Sequence, residues 1–162
     1  MPFKVDQILS SGEVTQDYCS KLSEKELIGL FYNRTGIGIH TNPFEIDIQS
    51  QKITLVLRNI VYSGNPHPAN KKRVQVLSKF LEVAKKPNCF ILGIYSYKNQ
   101  AIGCIFNPLR YKNATTVSYT SSHIKTEDLI EGKKNIFVNN NGDYIFELEK
   151  IKDTLCIIMN LI

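Results

Sequence analysis

Three stretches of the chain gather cations, amides, hydroxyls and imidazoles. The first runs Asn33-Arg34-Thr35-Gly36-Ile37-Gly38-Ile39-His40-Thr41-Asn42-Pro43, in which Asn33, Arg34, Thr35, His40, Thr41 and Asn42 supply all four group types. The second is Lys71-Lys72-Arg73, which follows Arg58 across a turn rich in Gly, Asn and Pro. The third, Asn107–Ile124, holds Arg110, Lys112, Asn113, Ser121 and His123 among two tyrosines and a run of Asn, Ser and Thr. Groups of these kinds bond phosphate oxygens and base edges. Each stretch also has an ordinary structural explanation. Asn and Thr turn back onto their own backbone, and a hairpin often ends in solvated cations. Both readings stand at this point.

Charge distribution narrows the choice. The formal net charge is +5 over 162 residues. Residues 1–70 carry −1, residues 71–134 carry +8 and residues 135–162 carry −2. The excess is confined to the middle of the chain, which favours a basic patch over a uniformly cationic surface. Hydrophobic residues make up 43% and charged residues 22%, an ordinary globular composition. Cys19, Cys89, Cys104 and Cys156 are far apart and lack the spacing of a zinc site. Cys89 and Cys104 sit in apolar runs and are expected to be buried thiols. Met1–Ser10 lacks the apolar core of a signal peptide, and no apolar run reaches membrane-spanning length. The expectation is a soluble, cytoplasmic chain with reduced thiols and no cofactor.

Catalytic constellations are weak. Gly93-Ile94-Tyr95 and Ala101-Ile102-Gly103 resemble the GIY-YIG nuclease triplets poorly, because the spacing is short and Ala101 replaces a tyrosine. They read as hairpin core. A PD-(D/E)xK nuclease orders its acids and a lysine around a metal. Glu45, Asp47, Glu82, Lys85, Glu147, Glu149 and Lys150 do not follow that order. His40, His67 and His123 lack a nearby cysteine nucleophile or aspartate orienter. The chain is therefore read as a non-enzyme. Two alternatives remain: a small metal-dependent nuclease using Asp47, and a protein-interaction or assembly domain.

The elements that must position these groups follow from local pattern. Ile53, Leu55, Leu57 and Val61 alternate with Thr54, Val56, Arg58, Ile60 and Tyr62, which predicts a long strand. Gly64-Asn65-Pro66-His67-Pro68 turns it, and Lys71–Arg73 lead into a second strand. Residues 3–10 fit a helix or a strand, and Thr15–Leu22 predicts a helix. Ser23-Glu24-Lys25-Glu26 is a capping box opening a helix with Leu27, Leu30 and Phe31 inward. That helix is expected to stop at Asn33. Short strands are expected at Glu45–Ile48 and Thr115–Thr120, and a helix at Ser78–Lys85 before Pro87. Cys89–Tyr95 and Ala101–Phe106 form a central hairpin about Tyr97-Lys98-Asn99-Gln100. Thr126 caps a helical turn that Gly132 ends. Asn135–Val138 and Tyr144–Leu148 pair across an Asn-Gly turn. Asp153–Ile162 is a final strand, or a helix leading to a further domain from about residue 152. The sum is one domain over 1–162, mainly β within the α+β class. It would be a seven- or eight-stranded open antiparallel pseudobarrel with two or three short peripheral helices.

A capped helix running into Asn33-Arg34-Thr35-Gly36, a strand–basic-turn–strand unit with Lys72-Arg73-Val74-Gln75, and a second polar stretch some seventy residues after the first resemble a known arrangement. It is that of the B3-like DNA-binding pseudobarrels of plant transcription factors and of restriction enzymes such as EcoRII and BfiI. The chain is most similar to the N-terminal domain of the McrB-like subunit of LlaJI-type restriction systems. The resemblance covers about residues 30–125 and has no long motif. It implies site-specific binding of double-stranded DNA, with two loops gripping the major groove. The first would be Asn33–Asn42, with Asn33, Arg34, Thr35 and His40 as contacts and Thr41 and Asn42 beside them. The second would lie within Asn107–His123, using Arg110, Lys112, Asn113, Ser121 and His123. Arg58, Lys71, Lys72 and Arg73 would line the basic face between them. Ile37 and Ile39 depart from the polar character of that first loop. The implied partners are a downstream GTP-hydrolysing motor domain and a nuclease subunit, with no membrane.

Overall fold

Hairpin chemistry opens the chain. In the computed structural model, which describes residues 4–18, 21–62, 71–111 and 119–160, β1 (Lys4–Ile8) and β2 (Val14–Tyr18) pair antiparallel. At 71, 73, 75–79 and 119–122 the backbone alone is described. The helix expected at Thr15–Leu22 is therefore a strand over Val14–Tyr18, set by its cross-strand partners in β1. The α1 helix (Glu24–Thr35) starts at the expected box: Ser23 Oγ accepts from Glu26 N at 3.1 Å, and Ser23 N donates to Glu26 Oε1 at 2.9 Å. It runs past Asn33 and ends at Gly36, whose φ of 73° lets its N–H reach Tyr32 O. Asn33, Arg34 and Thr35 are thus helical, in contrast to the loop expected for them.

The rest of the chain builds two sheets. β3 (Phe44–Ile48), β4 (Gln51–Asn59) and β5 (Val61–Tyr62) precede β6 (Lys71–Leu77) and α2 (Ser78–Ala84). β7 (Cys89–Tyr97) and β8 (Gln100–Ile105) form the expected hairpin. A 3₁₀ turn at Pro108–Arg110 precedes β9 (Tyr119–Lys125) and α3 (Thr126–Lys134). β10 (Phe137–Val138), β11 (Tyr144–Glu147), a 3₁₀ turn at Leu148–Lys150 and α4 (Ile151–Ile158) complete the described elements. The tail left open between strand and helix is helical as far as Ile158. One sheet has six strands in the order β10-β11-β8-β7-β4-β3, and a second has three in the order β5-β6-β9.

The architecture is mixed α+β and mostly sheet. It is not antiparallel throughout, because β4 and β7 pair in parallel. Such a pair needs a long crossover, and here β5, β6 and α2 form it. The six-stranded sheet stays open, with β10 and β3 at its edges. β4 is buried on both faces. Ile53, Leu55 and Leu57 join Leu27 and Phe31 of α1 and Leu155 of α4 on one side. Val56 and Ile60 join Val74, Ile124, Leu81 and Leu129 on the other, beneath the three-stranded sheet, α2 and α3. Cys89 and Cys104 are buried thiols in the hairpin. Gly93 and Gly103 are hairpin core: a Cβ on Gly93 would meet Ile60, Phe106 and Val74 within 2.9 Å. Gly132 does not end α3. It lies inside the helix, where a Cβ would come 2.1 Å from Ile145 Cγ2. Thr126 is the first residue of α3, and Lys125 is its N-cap. Among the described residues no helix is long and apolar enough to cross a membrane.

Candidate nucleic-acid interface

The β6–β9 register brings together two of the polar stretches. Lys71 is opposite Lys125, Arg73 opposite His123 and Gln75 opposite Ser121. Strand alternation separates these positions from Lys72, Val74 and Ile124, which are buried against the core. On the face opposite that core, Lys125 is exposed and His123 half-buried. β5 adds Val61 beside Arg73. Four predicted site residues, Lys71, Arg73, Ser121 and His123, therefore share one face of the small sheet. Lys125 joins them. The expected strand at Thr115–Thr120 had stopped short of it, although His123 and Lys125 keep the alternation.

Other predicted contacts are engaged inside the fold. Lys72 departs most from expectation. It is 1% exposed, its Nζ donates to Asp6 O at 2.7 Å, and it lies 5.8 Å from the centroid of the Tyr95 ring. It is placed inward because it shares strand parity with Val74. Arg110 is held by the fully buried Asp143: Nη1 and Oδ2 are 2.6 Å apart, and Nη2 donates to His123 O at 3.0 Å. Asp143 also accepts from Asn107 N at 2.8 Å and Asn139 Nδ2 at 3.1 Å. Arg110 thus ties β9 to the 3₁₀ turn and to the β10–β11 turn. Lys112 and Asn113 lie outside the described residues.

The first polar stretch is distributed differently from the expected arm. Arg34 donates to Asn99 O in the β7–β8 turn and lies 3.8 Å from Glu149. That places it on the α1 side of the large sheet, whereas Arg110 and His123 belong to the opposite side. Among the described residues of the second stretch, Arg110 and His123 do not share a side with Arg34 as the expected clamp requires. Thr35 Oγ1 donates to Phe31 O at 2.7 Å and accepts from Ile37 N at 3.1 Å, closing the helix end. Asn42 acts as a short strand partner, its amide giving and taking 2.9 Å bonds with Leu57 O and N. Thr41 Oγ1 donates to Pro43 O. Asn33 and His40 are exposed.

Arg58 lines a cleft of about 320 Å³ with Lys21, Glu24, Asn42, Val61 and Phe80. Its guanidinium lies 5.5 Å from the Phe80 ring centroid. Burial lowers its pKa, and Glu24 acts in the opposite direction. Val61 belongs both to this cleft and to the cross-strand partner of Arg73, so the cleft borders the small sheet. Asp47 sits exposed on edge strand β3, 3.9 Å from Lys52. Among the described residues no three His, Cys, Asp or Glu side chains converge as a metal site.

Fold and site together define a mixed α+β domain with a lysine- and arginine-bearing face on its smaller sheet. A family model described as methylase-associated X1 matches residues 51–156, and the chain belongs to that family. Searches of curated proteins and of solved structures found no match. The matched span runs from β4 into α4. It includes β6 and β9 and excludes α1 and the stretch at 33–43.

Proposed function

We propose that this chain is a site-specific double-stranded DNA-binding domain of a restriction–modification system. The β6–β9 register carries the reading, because it gathers Lys71, Arg73, His123 and Lys125 on one face of a segment with net charge +8. Membership of a methylase-associated family supplies the context. Restriction–modification systems act on duplex DNA, the ligand class that the B3-like resemblance also implies. Cationic side chains on a sheet face neutralise phosphates and position the domain.

Equilibrium binding of the chain to a labelled duplex over a range of salt tests this. Each neutralised phosphate contributes about −0.9 to the log–log slope, so Lys71 and Lys125 alone would give about −1.8. Absent or salt-insensitive binding rejects the reading. The resemblance to McrB-like subunits also implies partners that hydrolyse GTP and cut DNA. Affinity capture of the full chain from its own cells, read by mass spectrometry, should recover a methylase, motor or nuclease subunit. Recovery of none of these would remove that context.

A further inference from the structure

We infer that the β6–β9 ribbon reads base edges in the major groove, with Gln75 and Ser121 as the central specificity pair and Arg73 and His123 as the next. This rests on the DNA-binding reading above and specifies how that site recognises sequence.

The paired segment spans seven residues on each strand, from Lys71 opposite Lys125 to Leu77 opposite Tyr119. At about 3.4 Å per residue that is a ribbon roughly 20 Å long. β5 pairs only with Arg73 and Lys72. Among the described residues, β6 and β9 therefore form a two-stranded ribbon from Val74 to Leu77. The major groove, about 12 Å wide, admits a ribbon of that width. One face is backed by the core through Val74 and Ile124, and the opposite face, where Lys125 is exposed, is the one assigned to the groove floor.

Chemistry changes along that face. Lys71 and Lys125 form its cationic end, suited to phosphate. Arg73 with His123, then Gln75 with Ser121, are residue types that bond base edges: arginine to guanine O6 and N7, glutamine to adenine N6 and N7. Successive pairs on one strand face are about 6.8 Å apart, which matches about two base-pair steps at 3.4 Å each. The expected site therefore has a guanine and an adenine about two steps apart. Gln75 was not among the residues singled out from sequence. Strand parity with Arg73 and the register with Ser121 bring it in.

Selection from random duplexes with the full chain, followed by binding measurements on the selected site, tests the inference. Gln75→Ala should lose the adenine preference and weaken the selected site about 5- to 150-fold, with an unchanged salt slope. Ser121→Ala should relax the same position. Replacing that adenine with 7-deazaadenine, which removes the N7 acceptor, should weaken wild-type binding but add nothing to Gln75→Ala. The wild-type half of this arm needs no folded variant. Salt-sensitive binding with no selectable motif overturns the ribbon inference and leaves DNA binding standing. So does a motif indifferent both to 7-deazaadenine and to Gln75→Ala. Absence of salt-sensitive binding overturns both readings.

Discussion

Replacing Asp143 with alanine should cost this protein about 3 kcal/mol of stability. The carboxylate is fully buried and 2.6 Å from Arg110 Nη1. Removing one member of a buried ion pair typically costs about 3–5 kcal/mol, because the other charge is left uncompensated. Two features place this site at the low end. The Arg110 side chain keeps 21% of its surface exposed and so can rehydrate. It also retains His123 O at 3.0 Å and the Phe106 ring at 5.5 Å. Against that, Asn107 N loses the acceptor it holds at 2.8 Å, while Asn139 Nδ2 keeps only Asp128 at 3.3 Å. For a chain of this length, about 3 kcal/mol lowers the melting temperature by about 6–12 °C. Urea unfolding followed by circular dichroism measures the loss by linear extrapolation. Arg110→Ala leaves the buried carboxylate without a counter-charge, held by the Asn107 N–H and the Asn139 amide, and should cost at least as much. A loss below about 1 kcal/mol for both variants would mean the pair behaves as a surface salt bridge, and the tie between β9 and the β10–β11 turn would be refuted.

Gly132→Ala should destabilise by about 1–3 kcal/mol through overpacking, since the added Cβ meets Ile145 Cγ2 at 2.1 Å and the Ile145 backbone at 2.8 Å. A stabilised variant in thermal melts would show instead that helix propensity, worth about 1 kcal/mol in the other direction, decides the outcome. Lys72→Met should leave the salt slope of DNA binding unchanged, because the ammonium is bound to Asp6 O. A slope reduced by about 0.9 would place Lys72 on a phosphate. The Tyr97 hydroxyl, at 2.6 Å, and the Tyr18 N–H hold the Asp17 carboxyl below its ordinary value of 3.8. Its folded-state pKa is depressed, so its contribution is complete above about pH 4 and lost as pH falls through the lower folded value. Corrected for the intrinsic exchange rate, the protection of β1–β2 amides should fall on acidification in wild type but not in Asp17→Asn. Identical profiles would exclude this carboxylate as the acid-sensitive contact.

Local chemistry was legible where it acts over a few residues. The capping box at Ser23 and Glu26, the β7–β8 hairpin and the β10–β11 turn all follow from short-range signals. The alternation of β4 shows the buried face of Ile53, Leu55 and Leu57, whereas burial of Val56 on its other face depends on the three-stranded sheet packed over it. What depends on distant partners was not legible. Val14–Tyr18 becomes a strand because β1 pairs with it and Tyr97 anchors Asp17. β4 meets β7 in parallel only after a crossover of about thirty residues, which no local pattern specifies. Gly132 has the look of a helix terminator, yet its role is close approach to Ile145. At the site, the Lys71–Arg73 cluster was visible as charge. Its division into an inward Lys72 and the opposite-face positions 71 and 73 required only the alternation with Val74. Arg34 has its partners 65 or more residues away, so its placement on the α1 side could not be read from its neighbours.

The salt dependence of duplex binding by a Lys71→Ala, Lys125→Ala double variant, compared with wild type, tests the proposed interface most directly. If these two residues neutralise phosphates, the log–log slope should shrink by about 1.8, at about 0.9 per phosphate. An unchanged slope in a variant that melts like wild type would place the DNA on another surface and contradict the assignment of this sheet face.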